Sequence, residues 1–262
     1  MDELLRLIPP ALRDTAEELR IRRSAAKYPF ASVTSEGREI PLGGLTLTIG
    51  DILALVSGNS YQSVQERLKS GFLTAKGGHR VGVCGTTIVK DGVIDGLRDI
   101  SSLNIRFCRE HAGIAEAFFE RLKGKSTLII SPPGVGKTTF LRDLIRLTSN
   151  AGIRVAVLDE RGEIAALNGG VPGFDLGRAT DVLEAAPRLE GVQMLLRTMA
   201  PKCIAMDEVS SRSDLNALNS IENCGVQLLA TTHKGLDYPA LFEMLVTITL
   251  ENGKRTYEVT QC

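Results

Sequence analysis

The chain has 262 residues, of which 43% are hydrophobic and 24% are charged, and this balance excludes a disordered chain because the apolar fraction is large enough to form a core. Lys plus Arg and Asp plus Glu each number 31, so the formal net charge is zero and a globally basic nucleic-acid-binding surface is not expected. Aromatic residues make up only 5% and Trp is absent, which argues against base stacking along single strands.

Cysteine usage and the amino-terminal residues favour a cytoplasmic location. The five cysteines are irregularly spaced and form no CxxC pair, which argues against a disulfide framework or a zinc site. The chain starts with MDELLRLIPP, which carries acids where a secretory signal needs positive charge. No apolar run approaches the ~20 residues of a membrane span. We therefore expect a cytoplasmic protein that reaches a membrane only through a partner.

The first 109 residues are predicted to form a small α+β domain rich in antiparallel strands. The turn dipeptide Asp91-Gly92 lies between two segments of alternating polarity, which is typical of a β-hairpin. The other predicted elements are two short helices within residues 3–20, strands at 19–23, near Val33 and at 45–49, a helix capped by Gly50 or Asp51 and running through Leu55, a helical turn at 63–68 and a strand at 103–109.

From residue 110 onwards, strands and helices alternate, which predicts a mostly parallel sheet with helices on both faces. We place a domain boundary there, so that a second domain of α/β class covers residues 110–262. Its predicted elements are a helix over 111–125, a strand from 126, a helix near 137–149, a strand over 153–158, a loop from 160 to 180, a helix near 189–199, a strand over 203–207, a helix near 213–223 and strands at 226–231, 244–250 and 255–260.

A phosphate-binding P-loop is predicted between the first strand and the following helix of the second domain. Gly134 and Gly136 allow successive main-chain N–H groups to point into one concavity, and the helix that begins at Lys137 directs its positive end there. Lys137 supplies an ammonium for the β- and γ-phosphates of ATP, and Thr138 supplies a hydroxyl for Mg²⁺. The usual first glycine of the motif is replaced by Ser131. The predicted nucleotide-binding residues are Ser131, Pro132, Pro133, Gly134, Val135, Gly136, Lys137, Thr138 and Thr139.

Two consecutive carboxylates follow the apolar strand at 203–206. Asp207 has the position of an acid that holds Mg²⁺ directly or through water. Glu208 lies beyond the strand end, where its carboxylate is predicted to polarise the attacking water. With the P-loop, this pair predicts Mg²⁺-dependent hydrolysis of ATP.

Charged residues also follow the strand at 153–158. Asp159, Glu160 and Glu163 are expected at the same sheet edge as the P-loop, because the carboxyl ends of parallel strands share an edge. They are predicted either to position water or metal, with Glu160 a candidate catalytic residue, or to form a solvated loop with an internal ion pair. The pattern leaves these alternatives open.

Thr232 and His233 end another strand and are candidate catalytic residues. Either side chain can sense the γ-phosphate if this strand lies between the P-loop strand and the strand before Asp207. A separate candidate role, that of an arginine finger reaching a neighbouring subunit, is open to five arginines. These are Arg161, Arg178, Arg188, Arg197 and Arg212.

Four segments resemble the stage III sporulation protein AA family and, more distantly, the traffic ATPases of type II and type IV secretion. These segments are SPPGVGKTT, LDERGEI, GVQMLLRTMAPKCIAMDEV and LLATTHKG. In that family LDERGEI corresponds to the Asp-box and ATTHKG to the His-box. The resemblance implies a RecA-like core, a hexameric ring that hydrolyses ATP, and a partner in the inner-membrane channel or its adaptor. It also implies a place on the mother-cell side during endospore formation.

Three functions are compatible with the motifs. The first is a secretion-type ATPase whose first domain moves against the core and does work on a membrane assembly. The second is a P-loop ATPase associated with single-stranded nucleic acid, against which the zero net charge argues. The third is a scaffold that binds nucleotide without turnover, which the replacement of the first P-loop glycine by Ser131 leaves open.

Overall fold

The structure is a computed structural model that describes residues 4–25, 28–57, 69, 71–209, 214–233, 241–251 and 253–262. Contacts between Cα atoms divide the chain into two units. The first comprises Met1–Arg109 with Ala166–Gly173, and the second comprises Glu110–Ala165 with Phe174–Cys262. The short segment Ala166–Gly173, which the sequence pattern assigns to the second domain, therefore packs with the first unit.

The first unit is an antiparallel sheet with one described α-helix. Its strands are β1 (Ala16–Arg22), β2 (Phe30–Ser35), β3 (Arg38–Gly44), β4 (Phe72–Ala75), β5 (His79–Lys90) and β6 (Val93–Arg106), and its helix is α1 (Ile49–Ser57). The strand order is β3-β2-β1-β6-β5-β4. Alternate residues of the central strands, such as Leu19, Ile21 and Ile105, are fully buried. This alternation is what an antiparallel sheet with one covered face requires.

The predicted hairpin is confirmed. β5 and β6 pair in antiparallel register on either side of Asp91-Gly92. Both turn residues have positive φ, 50° for Asp91 and 78° for Gly92, as the favoured two-residue hairpin turn demands.

The prediction of two helices within residues 3–20 is wrong beyond residue 12. Only single 3-10 turns form, at Leu5–Leu7 and Pro10–Leu12, and β1 begins at Ala16. Proline lacks the main-chain N–H that a helix interior needs, and so favours a new turn at this point. The apolar residues that follow, Leu19 and Ile21, share one buried face at strand spacing rather than helical spacing.

The strand predicted at 45–49 is also wrong, because the extended segment is β3 and residues 45–48 lead into α1. The capping residue of α1 is Thr48 rather than Gly50 or Asp51. The Asp51 carboxylate accepts hydrogen bonds from Thr48 N at 2.8 Å and Thr48 Oγ1 at 2.7 Å, and Asp51 N donates to Thr48 Oγ1 at 3.2 Å. This reciprocal pair is a capping box, and its hydrogen bonds lower the pKa of Asp51. The helical turn predicted at 63–68 lies outside the described residues.

The second unit is a sheet of seven strands with helices packed against it. Its strands are β7 (Thr127–Ile130), β8 (Val155–Asp159), β9 (Thr180–Glu184), β10 (Cys203–Met206), β11 (Gln227–Thr232), β12 (Met244–Glu251) and β13 (Lys254–Gln261). Its helices are α2 (Glu116–Leu122), α3 (Lys137–Asn150), α4 (Arg188–Met199) and α5 (Asp214–Asn223). The order is β13-β12-β7-β11-β10-β8-β9, and every pair is parallel except β12 with β13. The predicted α/β class with a mostly parallel sheet is confirmed.

The strand order brings the predicted site to one sheet edge. β7, β11, β10 and β8 are neighbours and run in the same direction, so the segments that follow them meet at their carboxyl ends. Two predicted elements differ from the structure. Helix α2 is shorter than predicted, and the predicted loop at 160–180 ends in β9, an edge strand without a fully buried residue. Among the described helices, none combines the length and apolar character that crossing a bilayer requires.

Candidate nucleotide-binding and catalytic site

The P-loop connects β7 to α3 through a turn that only glycine adopts readily. Gly134 and Gly136 have φ values of 77° and 118°, in the left-handed region. Gly136 is the capping residue of α3, and no described side chain caps the helix there. The first N–H groups of α3 therefore remain available to an anion. Pro132 and Pro133 are exposed on the loop, Val135 is buried, and Thr139 is half-buried in the first turn of the helix.

Ser131 replaces the usual first glycine without backbone strain, because its φ is not in the left-handed region. The side chain is buried and its hydroxyl donates to the Pro132 carbonyl at 3.0 Å. Ser131 N donates to the Thr232 carbonyl at 3.3 Å, which ties the start of the loop to β11. The substitution is thus compatible with a formed P-loop.

Lys137 and Thr138 place a cation and a hydroxyl at the start of α3. Lys137 is only 7% exposed, and its ammonium makes no ion pair with any residue in the described ranges. An ammonium without an ion-pair partner beside the uncapped N–H groups of α3 suits a phosphate group. Thr138 Oγ1 donates to Asp207 Oδ2 at 2.7 Å. A hydroxyl beside a carboxylate fits Mg²⁺, which prefers oxygen ligands and is typically bound by one or two carboxylates together with substrate phosphates.

Asp207 is held by groups from β11 and from its own turn. Its Oδ1 accepts hydrogen bonds from Glu208 N at 3.0 Å and from the Thr231 hydroxyl. Thr231 Oγ1 also accepts a hydrogen bond from Glu208 N at 2.9 Å. Thr231 was not among the predicted residues. Side chains alternate along a strand, so Thr231 and Thr232 point to opposite faces of β11.

Glu208 projects beyond the end of β10 towards the imidazole of His233 and the guanidinium of Arg161. Its Oε1 lies 2.7 Å from His233 Nε2, and its Oε2 pairs with Arg161. Its φ is 54°, an uncommon value for a residue other than glycine, and the hydrogen bonds to its N–H hold that conformation. β11 lies between β7 and β10, which meets the condition set for His233. The arrangement fixes the direction of the carboxylate.

Arg188 fixes the same turn from the start of α4. Its Nε donates to Glu160 Oε2 at 2.9 Å, and its Nη1 lies 2.9 Å from Asp214 Oδ1. Its terminal nitrogens also donate to the carbonyl oxygens of Asp207, at 3.2 Å, and Glu208, at 3.4 Å. Arg188 therefore uses its donors within its own subunit, and the hypothesis that it acts in a neighbouring subunit is not supported. Glu160 lies at the site as its ion-pair partner.

The remaining candidate arginines are placed differently. Arg161 pairs with Glu208, although its side chain is largely exposed. Arg197 is exposed and its Nε donates to the Gln193 carbonyl one turn earlier in α4. Arg178 lies between the end of α3 and β9, where its N–H donates to Asn150 Oδ1 at 3.4 Å. Arg212 lies outside the described residues.

Asp159, at the end of β8, directs its carboxylate to main-chain N–H groups of the turn that follows. It is 2% exposed, and its carboxylate accepts the main-chain N–H groups of Glu163, Ile164 and Ala165 at 2.8–3.0 Å. These hydrogen bonds shape the turn after β8. The Glu163 carbonyl accepts a hydrogen bond from Arg142 at 2.9 Å, so its main chain serves the same turn.

Replacing Arg188 by alanine is expected to lower the free energy of unfolding by about 3 kcal/mol, because it removes the largely buried cation that pairs with Glu160 and with the buried Asp214. The ATP hydrolysis that the sequence predicts should fall by about 10²-fold as the turn that carries Glu208 relaxes. Denaturant unfolding and steady-state kinetics measure both effects. Arg38→Ala is the control, since it removes an exposed arginine to which no role in the site is assigned. Unchanged turnover in a folded Arg188→Ala protein would contradict the positioning role.

Solved structures show which class this fold belongs to. The pilus retraction motor PilT with bound ADP matches with a TM-score of 0.65 at 15% sequence identity, covering 98% of this chain and 82% of that chain. The Legionella pneumophila ATPase DotB matches with a TM-score of 0.57, also at 15% identity, covering 94% and 76%. At these identities the likeness shows the fold alone. With the P-loop and the strand order, it defines a RecA-like P-loop fold of the type found in secretion ATPases.

Sequence comparison then defines the family. A sequence model of the family described as Sporulation stage III, protein AA matches residues 45–244. The chain belongs to the stage III sporulation protein AA family, as the motifs predicted. Stage III sporulation protein AA of Bacillus subtilis (strain 168) is 42% identical over 190 residues, which make up 70% of this chain and 62% of that protein. The chain thus spans about three fifths of the length of that relative.

Proposed function

We propose that this chain is a Mg²⁺-dependent ATPase that energises a membrane-associated channel or secretion assembly during endospore formation. The observation that carries the proposal is the 2.7 Å hydrogen bond from Thr138 Oγ1 to Asp207 Oδ2. It joins the P-loop helix to the acidic end of β10. Glu208, directly beside this contact, has a carboxylate fixed by His233 and Arg161.

Each side chain has a role in this proposal that follows from its position. Lys137 neutralises charge on the terminal phosphates of ATP, and Thr138 with Asp207 holds Mg²⁺. Glu208 accepts a hydrogen bond from the attacking water and orients it, while His233 keeps that carboxylate in place. Thr232 contributes through its main chain, which anchors the start of the P-loop at Ser131.

The assembly proposed for this activity is a homo-oligomeric ring, taken as hexameric. Its partner would be an inner-membrane channel protein or an adaptor, contacted from the cytoplasm on the mother-cell side. Membership of a sporulation family and the secretion-ATPase fold support this choice. The zero net charge argues against nucleic acid as the partner.

The test combines turnover with particle size. Phosphate release should require Mg²⁺, and specific activity should rise with protein concentration as subunits associate. Light scattering with and without ATP should show a nucleotide-dependent increase in mass. Nucleotide binding without phosphate release at any protein concentration would instead support the scaffold function, and a constant monomer mass would exclude the ring.

A further inference from the structure

An arginine from the carboxyl-terminal hairpin lies against the P-loop. Arg255, in β13, donates from Nε to the Val135 carbonyl at 2.6 Å, across 120 residues of sequence. A Cβ added to Gly136 would lie 3.2 Å from Arg255 Nε and 3.7 Å from Cζ. The guanidinium therefore packs directly on the left-handed glycine that precedes the P-loop lysine.

The hairpin that carries this arginine is anchored to the helix that follows the P-loop. Tyr257 stacks on Phe140 of α3, with ring centroids 5.7 Å apart, and also contacts Phe118 of α2 at 5.6 Å. Arg121 of α2 donates to the Val259 carbonyl at 2.8 Å. These contacts hold β13 beside α3, so the position of Arg255 is built into the fold.

Arg255 is exposed to solvent, and no acidic residue in the described ranges pairs with its guanidinium. Only its Nε–H is used on the loop, and within the described ranges its terminal NH₂ groups make no hydrogen bond or ion pair. The segment 131–139 contains no acidic residue, and it adds a second cation, Lys137. Two cations beside uncapped helix N–H groups call for an anion, and a guanidinium is well suited to phosphate oxygens.

We propose that Arg255 is a nucleotide-binding residue whose terminal NH₂ groups contact phosphate oxygens of the nucleotide held in the P-loop. This inference rests on the proposed function and adds a nucleotide-binding residue from outside the recognised motifs. It gives the carboxyl-terminal hairpin a direct link to nucleotide occupancy. The guanidinium then has two roles, because its Nε–H binds the P-loop carbonyl and its terminal NH₂ groups bind the nucleotide.

The experiment measures binding by calorimetry on the full chain with ATP, ADP, inorganic tripolyphosphate and adenosine. Arg255→Gln should weaken ATP and tripolyphosphate binding by about tenfold or more, because it removes charged hydrogen bonds to phosphate. Arg255→Lys, which keeps the charge but not the fork, should lie between wild type and Arg255→Gln. Lys254→Gln, the adjacent exposed residue, is the control and should bind as wild type does. Thermal unfolding of each variant without nucleotide reports whether it is folded.

The outcomes separate this inference from the function on which it rests. If the wild type binds ATP and the folded Arg255→Gln protein binds tripolyphosphate equally well, the inference fails and the ATPase proposal stands. An effect confined to adenosine would also overturn it, because Arg255 would then contact the base. If the wild type binds neither ATP nor tripolyphosphate, both proposals fail.

Discussion

Replacing Lys137 by alanine is expected to lower ATP turnover by about 10²–10³-fold, since the variant loses a positioned cation where charge develops on the phosphates. The same change should remove most of the stabilisation that ATP confers. For the wild type, ATP at 100 times its Kd would raise the free energy of unfolding by about 2.7 kcal/mol. Phosphate-release kinetics and denaturant unfolding with and without ATP measure these effects.

The structure also predicts what Lys137→Ala should leave unchanged. Because the ammonium makes no ion pair in the described ranges, its removal should not lower the stability of the nucleotide-free protein. Lys125→Ala is the matched control, as it removes an exposed lysine that precedes the same strand, β7. A Lys137→Ala protein with normal hydrolysis would overturn the ATPase proposal. A marked loss of nucleotide-free stability would contradict the assignment of this cation to a ligand.

The parts of the site that the sequence predicted are those that depend on local geometry. The P-loop is one continuous segment, and its glycines and lysine follow from the turn that it must make. The meeting of Thr138 with Asp207 follows from strand order, because parallel strands end at one edge. β11 lies between β7 and β10 in the sheet. The alternation of strands and helices along the sequence could not show this order by itself.

The parts of the site that the sequence did not predict depend mainly on contacts between segments that are distant in the sequence. Arg255 lies 120 residues from Val135, and no motif marks it. Arg188 was one of five candidate arginines, but its ion pairs with Glu160 and Asp214 could not be predicted from the sequence. Thr231 could have been found, because it directly precedes the candidates Thr232 and His233 at the same polar strand end.

Two errors in secondary structure have a related physical origin. The segment 45–49 alternates like a strand, yet the capping box between Thr48 and Asp51 recruits its end to α1. β9 was not predicted, because an edge strand that is half-exposed carries no run of apolar residues. In both places the spacing of apolar residues was a poor guide, because the structure depends on a hydrogen bond or a neighbouring strand that this spacing does not encode.

Glu208→Gln is expected to lower kcat by about 10²–10⁴-fold, because the amide keeps the size of the side chain but cannot act as the base for the attacking water. Nucleotide binding should persist, since Lys137, Thr138 and Asp207 are untouched. Glu190→Gln is the control, an exposed glutamate in the first turn of α4. Stopped-flow binding with single-turnover hydrolysis separates the two steps. Loss of nucleotide binding in Glu208→Gln would instead assign Glu208 to the nucleotide-binding site. Full turnover would show that Glu208 takes no part in the chemistry, and its contacts with His233 and Arg161 would then have a purely structural role.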